Sequence, residues 1–487
     1  MSYRDLREFV DALERGGELR RVDAPVSRDL EIAHIAGRVC RVSGPAILFA
    51  NVTGGAMPVL INAFGSARRV RMALGDLDAL AARLEAILKP DIPSGFFEKL
   101  KKLPELAKLA GFAPSIVSRG CCQEVVKQGN DVNLDDLPIL TCWPGDAGRF
   151  VTLPLVFTKH AQTGQRNIGM YRMQVFDRNT TGMHWQAHHD GAANFDSYRR
   201  AARRMDVAVA IGTDPALAYA ATAPLPPGVD ETLLAGFIRE KSVELVRCRT
   251  IDMEVPSTAE IVLEGYVDPA EPLRTEGPFG DHTGFYSPAE LYPVFHVTAI
   301  THRASPIYQT LIVGKPPQED LFLGQATERL FRPVVKTIIP DLVDYHLPQF
   351  GVFHNALFIS IRKRYPYHAR QVMHAVWGLG QLAATKMIVV VDEHVNVHDT
   401  DEVMFYLGAN VDPRRDVQIV DGPVDELDHA APFTGAGSKM GIDATAKIAG
   451  EGVVRPWPTE LRMSDDVRQR VEQRWKELGL DDVLTLE

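Results

Sequence analysis

Val151-Thr-Leu-Pro-Leu-Val-Phe-Thr-Lys-His160, a turn at Gly164, and then Arg166-Asn167-Ile168-Gly169-Met170-Tyr171-Arg172 decide how this chain folds. Apolar, β-branched and aromatic residues bounded by glycine read as strands, and so short a connection pairs neighbours. The second strand is expected over 167–177, and the Asn179-Thr-Thr-Gly182 segment supplies the next turn. Four further strands are expected at 207–212, 243–248, 261–267 and 295–302, with one helix at 230–240 between them. Many strands with short connections predict a barrel or split barrel. Alternation sends Tyr171 and Arg172 to opposite faces, and Asn167 and Arg172 likewise. For Asn167 and Arg172 to serve one site the strand must bulge or twist, with Gly169 as the natural place.

The flanking regions differ in texture. The first ~115 residues mix helix and strand patterns. Ser2 is placed to cap a helix whose Leu6, Phe9, Val10 and Leu13 recur at helical spacing, and the helix ends near Gly16-Gly17. A strand is expected at 46–50 and a helix at 77–88, and the lysines between Phe97 and Lys108 read as one solvated helix face. In the last third, a helix at 368–377 precedes strands at 387–391 and 417–420, an alternation that predicts a parallel sheet. A closing helix over 464–478 is suited to packing on a partner subunit.

At 487 residues, two or three domains are expected. A hydrophobic content of 45% with 24% charged residues is that of a globular protein. A net charge of −10 argues against nucleic acid as the main partner. The five cysteines (Cys40, Cys121, Cys122, Cys142 and Cys248) form no CxxC pair and read as reduced thiols of a cytoplasmic protein. The amino terminus has no signal-peptide pattern, and no apolar run approaches the ~20 residues needed to span a bilayer.

Chemistry concentrates in the middle. Glu276-Gly-Pro-Phe-Gly-Asp281-His282-Thr-Gly284 sets two carboxylates five residues apart across a segment that resists regular helix. Neighbouring carboxylates push each other's pKa values apart, which suits proton transfer; a polar turn between strands is the ordinary alternative. Arg172 is suited to gripping a carboxylate with two parallel hydrogen bonds. His184 and His188 stand four apart, but Trp185 occupies the place where a helical zinc hydrolase needs glutamate. One histidine joined by oxygen ligands better suits manganese or magnesium, with Glu231 a donor at the start of its helix. Gly435-Ala-Gly437-Ser-Lys439-Met-Gly441 fits neither common phosphate-loop pattern and is expected to be a flexible loop.

With these pieces in order, the chain resembles the UbiD family of decarboxylases over essentially its whole length. The carriers are RNIGMYRMQ from Arg166, TTGMHWQAHHDGA from Thr180, the Glu231 helix before VELVRC, AEIVLEG from Ala259, EGPFGDHTGFY from Glu276, LDHAAP from Leu427 and GSKMGIDAT from Gly437. The menaquinone-biosynthesis branch is the most similar, with the ubiquinone (4-hydroxy-3-polyprenylbenzoate decarboxylase) branch next.

The resemblance implies a mixed α/β fold: an N-terminal α/β domain (1–115), a central split β-barrel flavin domain (116–315) and a C-terminal α/β assembly domain (316–487). It implies prenylated FMN made by a separate flavin prenyltransferase, held through a divalent ion, usually Mn2+, with K+ nearby. Carried over by position, Asn167, His188 and Glu231 would hold the metal, with His189 as the fallback ligand. Met170, Tyr171, Arg172, His184, Trp185, Gln186, His189 and Asp190 would line the cofactor, and Lys386 would reach its phosphate. The catalytic network maps to Glu276, Arg172 and Asp281, the third member being aspartate as in the quinone-pathway branches. The reaction implied is reversible, non-oxidative decarboxylation of an aromatic acid, releasing CO2. Burial beside Glu276 is expected to raise the pKa of Asp281 so that it can donate a proton. Substrates that fit are a polyprenylated hydroxybenzoate, which would add peripheral membrane contact, a naphthoate, or a small aromatic or heteroaromatic acid. Homodimers or homohexamers are implied. The competing readings are an FMN-dependent oxidoreductase and a cofactor-free binding or assembly protein.

Overall fold

The computed structural model describes residues 2–88, 111–186, 189–226 and 228–479. The lysines of 97–108 lie outside the described residues. In the N-terminal domain the first helix, Leu6–Arg15, buries Leu6, Phe9, Val10 and Leu13. Each such side chain is worth roughly 1.5–3 kcal/mol on burial. Asp5 caps it, accepting the Glu8 N–H at 3.0 Å, so the cap expected at Ser2 falls three residues later. The strands Leu19–Val22, Ala46–Phe49 and Val59–Ile61 form a sheet whose fourth strand, Tyr308–Gln309, comes from the end of the central domain. Helices Ala67–Leu74 and Leu77–Leu88 follow.

The central domain is built on an antiparallel sheet ordered Arg166–Met170, Leu155–Lys159, Met205–Ile211, Ile261–Val267, Val294–His302 and Thr180–Gly182. Val125–Gln128 adds to Val294–His302. The sheet stays open and does not close into a barrel. The bulge is also not where alternation placed it: pairing runs unbroken from Arg166 opposite Lys159 to Met170 opposite Leu155, through Gly169. It falls instead at Glu264/Gly265, where a Cβ on Gly265 would lie 1.8 Å from the His296 carbonyl oxygen.

Both opening strands are broken at matching positions. Phe150–Val151 and Met173–Gln174 pair with each other in a separate short ladder. Tyr171 and Arg172 are the linkers between the two ladders, outside both.

The C-terminal domain carries a sheet ordered Leu342–His346, Ala356–Ile361, Met387–Asp392, Ala436–Asp443 and Val417–Pro423. Its three inner strands are parallel, but both outer strands run antiparallel, so it is mixed where alternation predicted parallel. The expected flexible loop at Gly435–Gly441 is almost entirely strand, paired along its length with Val417–Pro423 and, from Met440 on, with Met387–Asp392 as well. Helices Glu319–Ile338, His368–Trp377 and Thr400–Asn410 complete the domain, and the closing helix Asp465–Arg474 has no buried residue. No helix among the described residues is long and apolar enough to cross a membrane.

Candidate active site

The site begins where the strand Arg166–Met170 leaves its sheet. The Met170 N–H donates to the Ala221 carbonyl at 3.2 Å, and the next two side chains diverge. The Tyr171 ring folds back over Gly169, where a Cβ would lie 2.2 Å from it; only glycine permits this approach. The Tyr171 hydroxyl then accepts from Asn167 Nδ2 and from the Gly191 N–H, each at 3.3 Å.

Arg172 turns the other way. Its Nε and Nη2 donate to the two oxygens of Glu276 at 3.0 and 3.2 Å, the paired geometry that lysine cannot copy. Its Nη1 contacts Asp281 Oδ2, and Nη2 also donates to Ser287 Oγ at 3.0 Å. The guanidinium lies 4.7 Å from the centre of the Phe279 ring. His184 Nδ1 meets Glu276 Oε2 at 2.9 Å, and its ring packs on Tyr292 at 4.3 Å.

Both acids ride on a double hairpin. Arg274–Glu276 pairs with Glu290–Tyr292, and Phe279–Gly280 pairs with Tyr286–Ser287. Gly277 has φ +91°, a conformation glycine adopts without strain. Gly280 lies against Trp143, so that a Cβ there would be 2.2 Å from the indole. Asp146 secures the contact: Oδ1 accepts the Gly280 N–H at 2.8 Å, while Oδ2 accepts those of Cys142 and Trp143 at 3.1 and 2.8 Å. Gln174 Oε1 accepts the Gly277 N–H at 2.8 Å.

The electrostatics correct one expectation. Burial alone would raise the pKa of Glu276, but His184 and Arg172 outweigh it and leave the carboxyl below its ordinary value. Burial also works to raise Asp281, yet the hydrogen bond from His282 and the charge of Arg172 lower it well below the usual carboxylate range. Asp281 therefore rests as a carboxylate, where the sequence reading expected a raised acid. The two carboxylates do not push each other's pKa values apart because one arginine serves both.

On the Tyr171 side, Asn167 is buried on its strand, and the next residue, Ile168, donates its N–H to Glu231 Oε2 at 2.9 Å. Glu231 opens the helix Glu231–Arg239, and burial pushes its carboxyl up to about 8. His189 precedes the helix Asp190–Arg200 and packs on Tyr171 at 5.2 Å between ring centres. Trp185 is buried, with its ring 5.6 Å from Phe195, and Gln186 accepts the His189 N–H through its carbonyl at 3.0 Å. Asp190 is exposed, and Met170 is half-buried. His188 lies outside the described residues. Lys386 pairs with Asp428 at 2.8 Å in the C-terminal domain.

Phe279, Ser287, Tyr292 and Asp146 support this arrangement and were not singled out by sequence reasoning. Phe279 lies inside the quoted Glu276–Gly284 segment, so a signal for it existed. Asp146 had none, because its role appears only when Gly280 folds against Trp143.

Three family models match in order: the 3-octaprenyl-4-hydroxybenzoate carboxy-lyase N-terminal domain over 10–88, the Rift-related domain over 115–316 and the C-terminal domain over 321–444. An uncharacterised protein of Aquifex aeolicus (strain VF5) is 52% identical over 483 residues, covering 98% of this chain and 99% of its own. The closed form of Sedimentibacter hydroxybenzoicus vanillic acid decarboxylase superposes with TM-score 0.85 at 28% identity, covering 98% of this chain and 99% of that one. The UbiD-class enzyme HmfF from Pelotomaculum thermopropionicum, in complex with FMN, superposes with TM-score 0.78 at 31% identity, covering 96% and 98%. An evolved dimeric form of HmfF, in complex with prenylated FMN, gives the same TM-score at 29% identity, with the same coverage. Matched across all three of its domains, the chain belongs to the UbiD family of carboxy-lyases.

Proposed function

We propose that this protein catalyses the reversible, non-oxidative decarboxylation of an aromatic carboxylic acid with prenylated FMN as cofactor. The observation that carries the reading is Arg172, clamped between Glu276 and Asp281 one residue along the chain from the Tyr171–Asn167 group. Glu231 fits a role in holding a divalent ion. It is a buried carboxylate with no lysine or arginine partner among the described residues, and such a group calls for a cation. Asn167, adjacent to the Glu231 contact at Ile168, would supply an amide oxygen, with His188 or His189 completing a set suited to Mn2+; K+ would sit nearby.

When bound, prenylated FMN supplies an electrophile and an electron sink for the pair left behind as CO2 departs. Arg172, whose Nε–Nη2 edge is held by Glu276, orients the substrate carboxylate with the Nη1 N–H that Asp281 leaves open. The overall change replaces C–CO2⁻ by C–H and consumes one proton. Asp281, at rest a carboxylate, takes up that proton during the cycle and returns it to the ring carbon.

A polyprenylated hydroxybenzoate or a naphthoate of quinone biosynthesis is the substrate class we assign first. A small aromatic acid is the second reading, favoured by the structural likeness to an enzyme that acts on vanillic acid. A flavin prenyltransferase would supply the cofactor. Assembly into a homodimer or homohexamer would use the C-terminal domain, where Phe405 and Ile419 are 64% and 68% exposed.

The test is co-expression with a flavin prenyltransferase, followed by released-cofactor mass, elemental analysis and CO2 release from a panel of hydroxybenzoates and naphthoates. Prenylated FMN with manganese and release of CO2 from one acid supports the reading. Ordinary FMN with nicotinamide-dependent redox cycling would replace it with an oxidoreductase.

A further inference from the structure

Asp281 is hydrogen-bonded to its neighbour, and that neighbour reaches out of the site. His282 Nδ1 lies 3.1 Å from Asp281 Oδ1, and its Nε2 lies 2.6 Å from Nε2 of His354 in the C-terminal domain. His354 Nδ1 is buried without a hydrogen-bond partner and faces Asp425 Oδ2 at 4.0 Å. That gap is too long for a hydrogen bond. One ligand atom from each of His282, His354 and Asp425 lies within 4.8 Å of the others.

We propose that His282, His354 and Asp425 form a second divalent-cation site, of the imidazole-and-carboxylate class that Zn2+ occupies, joining the Asp281 loop to the C-terminal domain. Three observations support it independently of the flavin. First, Asp281 accepts from His282 Nδ1, the carboxylate–histidine arrangement that would fix the tautomer once an ion displaces the proton held between the two Nε2 atoms. Second, the surroundings carry excess negative charge. Asp320 and Asp425 both act on His282, neither pairs with a lysine or arginine among the described residues, and Arg172 is already shared by Glu276 and Asp281. Third, Asp320 Oδ2 is buried without a hydrogen-bond partner. The two Nε2 atoms need to part by under 1 Å to sit on one tetrahedral ion, which a tilt of either ring provides.

This site differs from the one assigned to Asn167, Glu231 and His188, and its test uses neither flavin nor substrate. Full-length protein purified without flavin and stripped with chelator is titrated with Zn2+ by calorimetry, in an Asn167→Ala/Glu231→Gln background that removes the other pair. One equivalent is expected to bind, with affinity falling at least tenfold in both His354→Gln and Asp425→Asn. An anomalous-scattering peak at the zinc edge is expected between His282 and His354. No binding in that background, or binding within threefold of the background protein in either variant, would overturn the site. Because no decarboxylation is measured, either result leaves the proposed reaction standing or falling on its own test.

Discussion

Arg172 holds both oxygens of Glu276, through Nε at 3.0 Å and Nη2 at 3.2 Å, with its remaining nitrogen directed at Asp281. One side chain thus sets the position of two acids that lie 104 and 109 residues further along the sequence.

Arg172→Lys preserves charge but loses the fork. A single ammonium cannot serve Glu276 and Asp281 together and still orient a substrate carboxylate. The expected outcome is a fall in kcat/KM of about 10²–10³, comparable to losing one preorganised donor. Flavin content, measured by absorbance after release, is expected to stay unchanged.

Glu276→Gln should change the pH dependence of stability. The folded-state pKa of Glu276 is below its unfolded value, so the carboxylate contributes stability above about pH 4 and loses it as pH falls through the folded value. Denaturant titrations at pH 7 and below pH 4 should show the wild type losing stability on acidification. The variant should lose less over the same interval. An equal loss in both proteins would remove Glu276 from the acid limb.

Glu231→Gln separates a metal ligand from a structural acid. An amide oxygen can still accept the Ile168 N–H, and no unpaired charge then has to be buried. The metal-free variant should melt at or above the temperature of the metal-free wild type, while losing the divalent ion and the flavin together in elemental and absorbance analysis. A variant that unfolds would give Glu231 a structural role instead.

Gly280→Ala tests how far Asp281 depends on the shape of its hairpin. The new methyl would fall 2.2 Å from the Trp143 indole, so either the ring or the hairpin must move. A cost of about 1–3 kcal/mol is expected in denaturant melts, as for other overpacked sites. Turnover should fall further than stability does, because Asp281 is the next residue.

Strands were the most legible part of this chain. The segments 261–267 and 295–302 read from β-branched composition lie within one residue of the observed bounds, because both faces of those strands are largely buried. The Gly435–Gly441 segment misled because its glycines resemble a loop, yet pairing with Val417–Pro423 along its length, and with Met387–Asp392 at its end, overrides that local preference. Gly169 misled differently. Its meaning is the Tyr171 ring above it, a contact that strand alternation does not encode. For the site, local spacing gave Glu276 and Asp281, but nothing local joins them to Arg172; the family resemblance supplied that link. The resting charge of Asp281 needed coordinates, since it depends on how burial, His282 and Arg172 balance.

The parting of Tyr171 and Arg172 at the end of one strand has an evolutionary corollary. Two adjacent residues look toward separate neighbourhoods: one toward Asn167 and the helix at Asp190–Arg200, the other toward a hairpin encoded a hundred positions away. Substitutions in that hairpin can recut the room around Arg172 without touching what holds Tyr171. A lineage with this arrangement is free to change one neighbourhood while inheriting the other intact.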